Sequence, residues 1–300
     1  MEKGFLLVFL TAIISGFSIF INKYGVGIFS NSYIYTFWRV LLVALILSGI
    51  LFLFKDFKEL KRIKKRDWFF LILIGLVGGS IPFLLFFKGL SLTSAAQGSF
   101  FHKTMFVWVA IFASLFLKEK IDKKFIFGGL ILLSGNFLLL KKFSLGLGKG
   151  DLLVILATIF WAIENVLSKY LLTNLKGREV AWARMFFGSL FIFLYLLLSN
   201  QFFLAFDLSL KQINWILITG ILLLFYVLTW YSGLKFIPVS QATVILLLGS
   251  PITTFLSLIF GGKISLEEMI SGLLILLGII VIFGIKKIME NFKQLIYART

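Results

Sequence analysis

Six ionisable side chains lie inside long apolar runs of this sequence, and their chemistry gives the first indication of what the chain does. They are Arg39, Lys88, His102, Lys103, Glu164 and Arg184. An ionised group at the centre of a bilayer costs at least about 2.5–3.5 kcal/mol, so these groups are expected to face an interior cavity or one another. Because the set contains four Lys and Arg residues and one carboxylate, it favours a solute that carries a carboxylate or another anionic group.

Glu164 and Arg184 lie at similar depths in two consecutive apolar runs. Glu164 comes about nine residues before the end of its run and Arg184 about five after the start of the next, so at about 1.5 Å per residue their depths differ by about one turn. Two interpretations stay open. The residues form a buried ion pair that fixes two helices, or Glu164 serves the solute, by coupling a proton or by binding an ammonium group.

Arg39 has no carboxylate in its neighbourhood of the sequence, where Ser18 and Asn22 are the polar side chains. A guanidinium without a fixed partner can bind a carboxylate or a phosphate through two parallel hydrogen bonds. Contact with the solute is therefore one hypothesis. The alternative is that Arg39 reaches water at the outer end of its helix or caps backbone carbonyls.

His102, Lys103 and Trp161 complete the candidate site. Lys103 is expected to face the cavity because exposure to lipid would be expensive. His102 could relay protons near neutral pH, although a lone histidine more often bonds between helices, and Trp161 is a candidate for the cavity wall. The predicted substrate-binding set is Arg39, Lys103, Glu164, Arg184, Trp161 and His102. Glu164 and His102 are the proton-coupling candidates.

Composition identifies the apolar runs as membrane spans. Sixty per cent of the 300 residues are apolar, 14% are charged, and the mean hydropathy is +1.04, whereas soluble domains have about 45–50% apolar and about 25% charged residues. The net charge of +17 resides mainly in short breaks between the runs, which favours a lipid bilayer over nucleic acid as partner. Without cysteine and with one histidine, the chain is predicted to hold no metal and no cofactor.

Ten runs are long enough to cross a hydrocarbon core of about 30 Å. They cover roughly 4–24, 32–54, 68–90, 94–117, 124–141, 150–172, 179–199, 212–235, 239–261 and 265–285. If the first residue is cytoplasmic, the inner segments hold 20 Lys and Arg residues and the outer segments six. The positive-inside rule then predicts a multi-pass protein of the inner (plasma) membrane with both termini cytoplasmic.

The two halves of the sequence repeat at a nearly constant offset of 143 to 147 residues. Residues 15–24 align with 161–170, and Arg39 aligns with Arg184. Five spans in each half, an odd number, insert the second half in the opposite orientation. The predicted fold is an all-α integral membrane protein whose ten transmembrane helices form two inverted five-helix repeats around a central cavity. The repeats are predicted at 1–142 and 150–287, followed by a short cytoplasmic tail at 288–300.

Over about 3–286 the chain resembles the EamA-type ten-helix permeases of the drug/metabolite transporter superfamily. The residues that carry the resemblance stand in the family's order along the chain. Two pairs occur in both halves, Ser15-Gly16 with Trp161-Ala162 and Arg39 with Arg184, and the others are Leu92-Thr93-Ser94-Ala95-Ala96, Lys118-Glu119-Lys120-Ile121 with Gly129, and Pro251. The resemblance implies that helices 1–4 and 6–9 surround the cavity while helices 5 and 10 are peripheral. It also implies export of amino acids, metabolites or drugs.

These patterns predict a secondary transporter, not an enzyme, that exports a small organic metabolite such as an amino acid by alternating access, with proton antiport as the coupling option. The sequence has no Walker-type loop, so ATP is not expected to drive it directly. Two alternatives stay open: an intramembrane enzyme that modifies lipids or metabolites, and a non-transporting membrane scaffold. The predicted partners are a small-molecule substrate and the bilayer, and a homodimer is left open.

Overall fold

The computed structural model describes residues 2–29, 31–93, 95–140, 147–261, 263–285 and 288–290, and in these ranges the chain is helical apart from short connections. The α-helices are α1 (Glu2–Val26), α2 (Ser32–Leu53), α3 (Asp56–Leu60), α4 (Lys65–Gly79), α5 (Ile81–Leu90), α6 (Ala95–Lys103), α7 (Met105–Leu117), α8 (Lys123–Phe137), α9 (Lys149–Leu171), α10 (Gly177–Leu198), α11 (Leu210–Leu234), α12 (Val239–Leu246), α13 (Gly249–Ile259) and α14 (Leu266–Phe283). A short 3-10 helix, Phe202–Ala205, lies between α10 and α11.

Nine helical segments in the described ranges are long and apolar enough to cross a membrane. Three of them join two helices each, giving continuous segments over Lys65–Leu90, Gln97–Leu117 and Val239–Ile259. The fifth predicted span, at 124–141, corresponds to α8, whose 15 residues fall short of the usual crossing length of about 20. The tenth crossing therefore stays a prediction. Lys141, Lys142 and residues 291–300 of the predicted tail lie outside the described residues.

The third span is interrupted at Ser80, between α4 and α5. Pro82 has no backbone N–H, so it cannot donate to the carbonyl of Gly78 four residues earlier. Ser80 departs from helical geometry, with φ −136° and ψ −74°, and its hydroxyl donates to the carbonyl of Leu76 at 2.9 Å. The break leaves the Gly78 carbonyl available to other donors.

Helices cross closely where glycine faces glycine. A Cβ built on Gly188 of α10 would lie 2.8 Å from the Cα of Gly79 on α4, so the two backbones touch at this crossing. A Cβ on Gly128 of α8 would lie 2.7 Å from the carbonyl oxygen of Gly278 on α14. Small residues permit such approach in membranes, where van der Waals packing replaces the hydrophobic effect between helices.

Asp56 joins the segment between the second and third spans to the start of α10. Its carboxylate is buried and accepts hydrogen bonds from Arg178 and, at 2.9 Å, from Lys176 Nζ. Burial by itself would raise the pKa of Asp56, but the hydrogen bonds from Arg178 and then Lys176 outweigh burial and hold the pKa below its usual 3.8.

Asp56→Asn is expected to lower the free energy of unfolding by about 1.5–3 kcal/mol, because hydrogen bonds to charged groups are lost. Since the pKa is lower in the folded state, this stabilisation is complete above the unfolded value and is lost as the pH falls below 3.8. Melting temperatures in detergent over a pH series measure the difference. Glu59→Gln is the control, because Glu59 is exposed and its ion pair with Lys176 lies at the surface. A similar loss in both variants, or a loss independent of pH, would contradict this assignment.

Candidate functional site

Glu164 lies on α9 with its side chain fully buried in the protein. Its Oε1 accepts hydrogen bonds from the hydroxyls of Tyr231 and Ser168, both at 2.6 Å. Its Oε2 has no hydrogen-bond partner among the described residues and lies 3.9 Å from Nη1 of Arg184. The carboxylate is thus bound firmly through one oxygen and loosely through the other.

Arg184 lies on α10 and is also buried. Nη1 donates to the hydroxyl of Tyr231 at 3.0 Å, and Nη2 donates to the carbonyl of Gly78 at 3.2 Å. The Tyr231 hydroxyl therefore bridges the base and the acid. Arg184 Nε is buried without a partner in the described part of the chain. The contact between Arg184 and Glu164 that the sequence suggested is present, but most of it passes through a tyrosine.

The carbonyl of Gly78 organises this cluster. Because Pro82 cannot bond to it, the carbonyl accepts from Nε1 of Trp161 at 3.1 Å and from Arg184. Gly78 also makes room for the carboxylate, since a Cβ there would lie 2.1 Å from Cγ of Glu164. A glycine four residues before a proline is the sequence signal that could have indicated this position.

Gly78→Ala is expected to displace Glu164, to abolish transport and to destabilise the protein by about 1–3 kcal/mol, because the added methyl group overpacks a filled interior. Thermal unfolding and uptake into proteoliposomes measure the two effects. Gly49→Ala on α2 is the matched control, since no side chain or other helix in the described part of the chain lies within 4 Å of its Cβ position, and it should unfold no earlier than the wild type. Equal behaviour of the two variants would contradict the packing role of Gly78.

Trp161 connects the charged cluster to an aromatic group. It lies one turn before Glu164 on α9, and its ring centroid is 5.0 Å from that of His102 and 5.3 Å from that of Phe86. His102 and Phe86 are 5.2 Å apart. Lys103, the neighbour of His102, takes part in no salt bridge within the described residues.

Arg39 lies on α2 beside a second polar network. Its guanidinium carbon is 4.9 Å from the centroid of the Tyr35 ring, and its buried Nε has no hydrogen-bond partner in the ranges that the structure describes. The Tyr35 hydroxyl donates to Asn22 Oδ1 at 2.5 Å, and Asn22 Nδ2 donates to the Ser18 hydroxyl at 3.0 Å. These polar neighbours satisfy one another, and Arg39 is held by a cation–π contact.

The comparisons with known proteins agree with this architecture. The sequence model of the EamA-like transporter family matches the chain twice, over residues 2–141 and 148–284. The chain belongs to this family. It is therefore a multi-pass membrane transporter, as the resemblance in the sequence predicted.

Two relatives of this EamA-family chain match nearly its whole length, and a third matches about a third of it. It is 29% identical to the riboflavin transporter ImpX of Fusobacterium nucleatum, with 93% of this chain and 96% of the relative covered. It is 26% identical to the uncharacterized transporter YyaM of Bacillus subtilis, covering 91% and 93%. An S-adenosylmethionine uptake transporter of Rickettsia bellii is 33% identical over 35% of this chain and 34% of its own. A solved crystal structure shares the fold, with a TM-score of 0.73 at 16% identity over 93% and 97% of the two chains.

Four of the six predicted site residues of this EamA chain form one connected cluster. They are His102, Trp161, Glu164 and Arg184. No hydrogen bond or ion pair joins Arg39 or Lys103 to that cluster within the described residues. Sequence reasoning missed the bridging hydroxyl of Tyr231, although a tyrosine buried in an apolar run needs a polar partner, and that need is a signal.

Proposed function

We propose that this EamA transporter is a secondary carrier that moves a small organic metabolite by alternating access, with a zwitterion such as an amino acid as the substrate class. One observation carries the proposal: among the ionisable residues within the apolar runs, Arg39, Glu164 and Arg184 each keep a buried polar atom without a hydrogen-bond partner among the described residues. Buried polar groups normally find partners. Acceptor groups of the solute would complete the two arginines, and an ammonium group of the solute or a proton would complete Glu164.

Helix contacts support two inverted repeats as the frame for alternating access. In the first half α1 packs on α11 of the second half, and in the second half α9 packs in the corresponding way on α4 and α5 of the first. The last helices of the two halves, α8 and α14, pack on each other. The pairs correspond if α1–α8 and α9–α14 are equivalent halves. Two nearly equivalent packings, open to opposite sides, would follow from this arrangement.

The roles of the charged groups follow from their contacts. An ammonium group of the solute would take the free Oε2 of Glu164, and a proton would compete for the same oxygen, which gives antiport. The carboxylate of the solute would bind Arg39 or Lys103. For a purely anionic solute the direction of proton coupling reverses. Protonation of Glu164 would release Arg184, which would then bind the anion, so that the anion and the proton move together in symport.

The direction of transport follows from the proton coupling. Antiport driven by a proton gradient exports the zwitterion, in accord with the family resemblance. Uptake of a planar heteroaromatic solute is the second candidate, favoured by the contiguous rings of Trp161, Phe86 and His102 and by the relative named as a riboflavin transporter. The proposal places the protein in the inner membrane with both termini cytoplasmic. It requires no homodimer, because one chain supplies every candidate residue.

Counterflow in proteoliposomes tests the function. Vesicles loaded with unlabelled amino acids, with riboflavin, or with S-adenosylmethionine would be diluted into the labelled solute, with and without an imposed pH gradient. Accumulation of an amino acid that an inward-directed proton gradient opposes supports antiport of a zwitterion. Accumulation of riboflavin alone favours the second candidate. If no organic solute accumulates above protein-free vesicles, the proposal is wrong.

A further inference from the structure

A groove lies between α7 and α8 on the outside of the helical bundle. It encloses about 450 Å³ and is lined by apolar side chains apart from Ser114. Four of its lining residues, Ile111, Leu115, Ile126 and Leu130, are exposed on the outside of the helical bundle. Gly129 contributes no side chain to its wall, and a Cβ there would meet the Phe106 ring only at 3.5 Å. The groove is therefore a cleft in the surface that lipid would cover.

One end of the groove is strongly basic. Lys118 and Lys120 lie in the segment that joins α7 to α8, Lys123 and Lys124 lie at the start of α8, and all four are exposed. Ile121, in the middle of this segment, lines the groove, so the apolar cleft continues to the lysines.

Both acidic residues of the same segment are engaged elsewhere. Glu119 accepts from the backbone N–H groups of Val239 and Ser240 at the start of α12, at 2.7 and 3.1 Å. Asp122 accepts from the backbone N–H of Phe125 at 2.8 Å and caps α8. The four lysines form no salt bridge within the described residues. Their charge is therefore left for a partner from outside the chain.

We propose that this groove binds an anionic phospholipid, with an acyl chain along α7 and α8 and the phosphate headgroup at the lysines. An apolar cleft at bilayer depth suits a hydrocarbon chain, and a basic cluster at the end of a transmembrane helix attracts anionic headgroups. The positive-inside rule would account for the lysines alone. It does not explain why an apolar cleft leads to the lysines. It also does not explain why the neighbouring Glu119 and Asp122 are hydrogen-bonded to the first residues of α12 and α8.

Native mass spectrometry of the full chain in detergent tests the proposal, with phosphatidylglycerol and phosphatidylcholine of identical acyl chains as probes. The wild type should bind phosphatidylglycerol at least about tenfold more tightly than phosphatidylcholine. The triple variant Lys120→Gln, Lys123→Gln and Lys124→Gln should lose that preference. The matched variant Lys58→Gln, Lys61→Gln and Lys64→Gln removes the same charge from another exposed basic segment and should keep it.

Ser114→Trp provides an independent arm, because Ser114 is exposed and lines the groove, so the larger side chain fills the cleft without entering the core. It should weaken both lipids, whereas a millimolar excess of inorganic phosphate should displace neither. The proposal is overturned if the wild type binds the two lipids equally, if the two lysine triples behave alike, or if free phosphate competes with phosphatidylglycerol. Melting temperatures near the wild-type value establish that each variant is folded.

Discussion

Glu164→Gln is expected to abolish the response of transport to a pH gradient, while counterflow of the solute persists with a weakened affinity for its ammonium group. Glutamine keeps the shape of the side chain, and its oxygen can still accept from Tyr231 and Ser168, but it cannot take up or release a proton. Arg184 loses its counter-charge, so stability should fall by about 3 kcal/mol, the lower end of the range for breaking a buried pair, since the pair is loose at 3.9 Å. Uptake into proteoliposomes with and without a pH gradient measures the coupling.

Ser168→Ala is the matched control for Glu164→Gln. It removes one hydrogen bond to the same Oε1 but leaves the titrating carboxylate in place. The pH response should survive in this variant with a stability loss of about 1 kcal/mol. Persistent proton coupling in Glu164→Gln would exclude Glu164 from the coupling mechanism and leave it the structural role of an ion pair.

Arg39→Met is expected to weaken binding of a carboxylate-bearing solute by about 10- to 100-fold and to affect its neutral amide analogue far less. Charge-assisted hydrogen bonds contribute about 1.5–3 kcal/mol, which sets this range. The same variant should unfold no earlier than the wild type without solute, because a guanidinium whose buried Nε has no hydrogen-bond partner among the described residues is replaced by a well-tolerated apolar chain. Competition binding with the acid and amide pair measures the first effect, and thermal unfolding measures the second.

Arg39→Lys separates charge from geometry at this position. It keeps the positive charge but loses the planar fork of donors, so its affinity for the carboxylate should lie between those of the wild type and Arg39→Met. An equal loss for the acid and the amide would favour the alternative in which Arg39 reaches water or caps carbonyls. A marked drop in the stability of Arg39→Met would also favour that alternative.

The positions of the helices were largely predictable because bilayer thickness constrains their length. The run at 150–172 corresponds to α9 at Lys149–Leu171, and the run at 212–235 corresponds to α11 at Leu210–Leu234. Hydropathy is insensitive to backbone breaks inside an apolar run. It therefore did not show that the third, fourth and ninth predicted spans each consist of two helices.

The candidate site was only partly predictable, because the sequence indicates depth but not the rotation of each helix. Depth was sufficient to suggest that Glu164 and Arg184 meet. The bridge through Tyr231 depends on how α9, α10 and α11 are turned toward one another, and Tyr231 and Glu164 are 67 positions apart in the sequence. The repeat also does not conserve the charges of the site between the two halves. Ser18 aligns with Glu164, so the first half has no carboxylate at the position that faces Arg184 in the second half.

The inverted-repeat account depends on an odd number of crossings in each half, and α8 decides that number for the first half. Because the chain contains no cysteine, single cysteines at Lys3, Leu147 and Met289 can be labelled with a membrane-impermeant maleimide in sealed right-side-out vesicles. Ten crossings predict that Leu147→Cys is labelled and that both Lys3→Cys and Met289→Cys are protected until the membrane is opened. If Lys3→Cys and Met289→Cys are found on opposite faces, the two halves are not inverted copies, and alternating access built on them is contradicted.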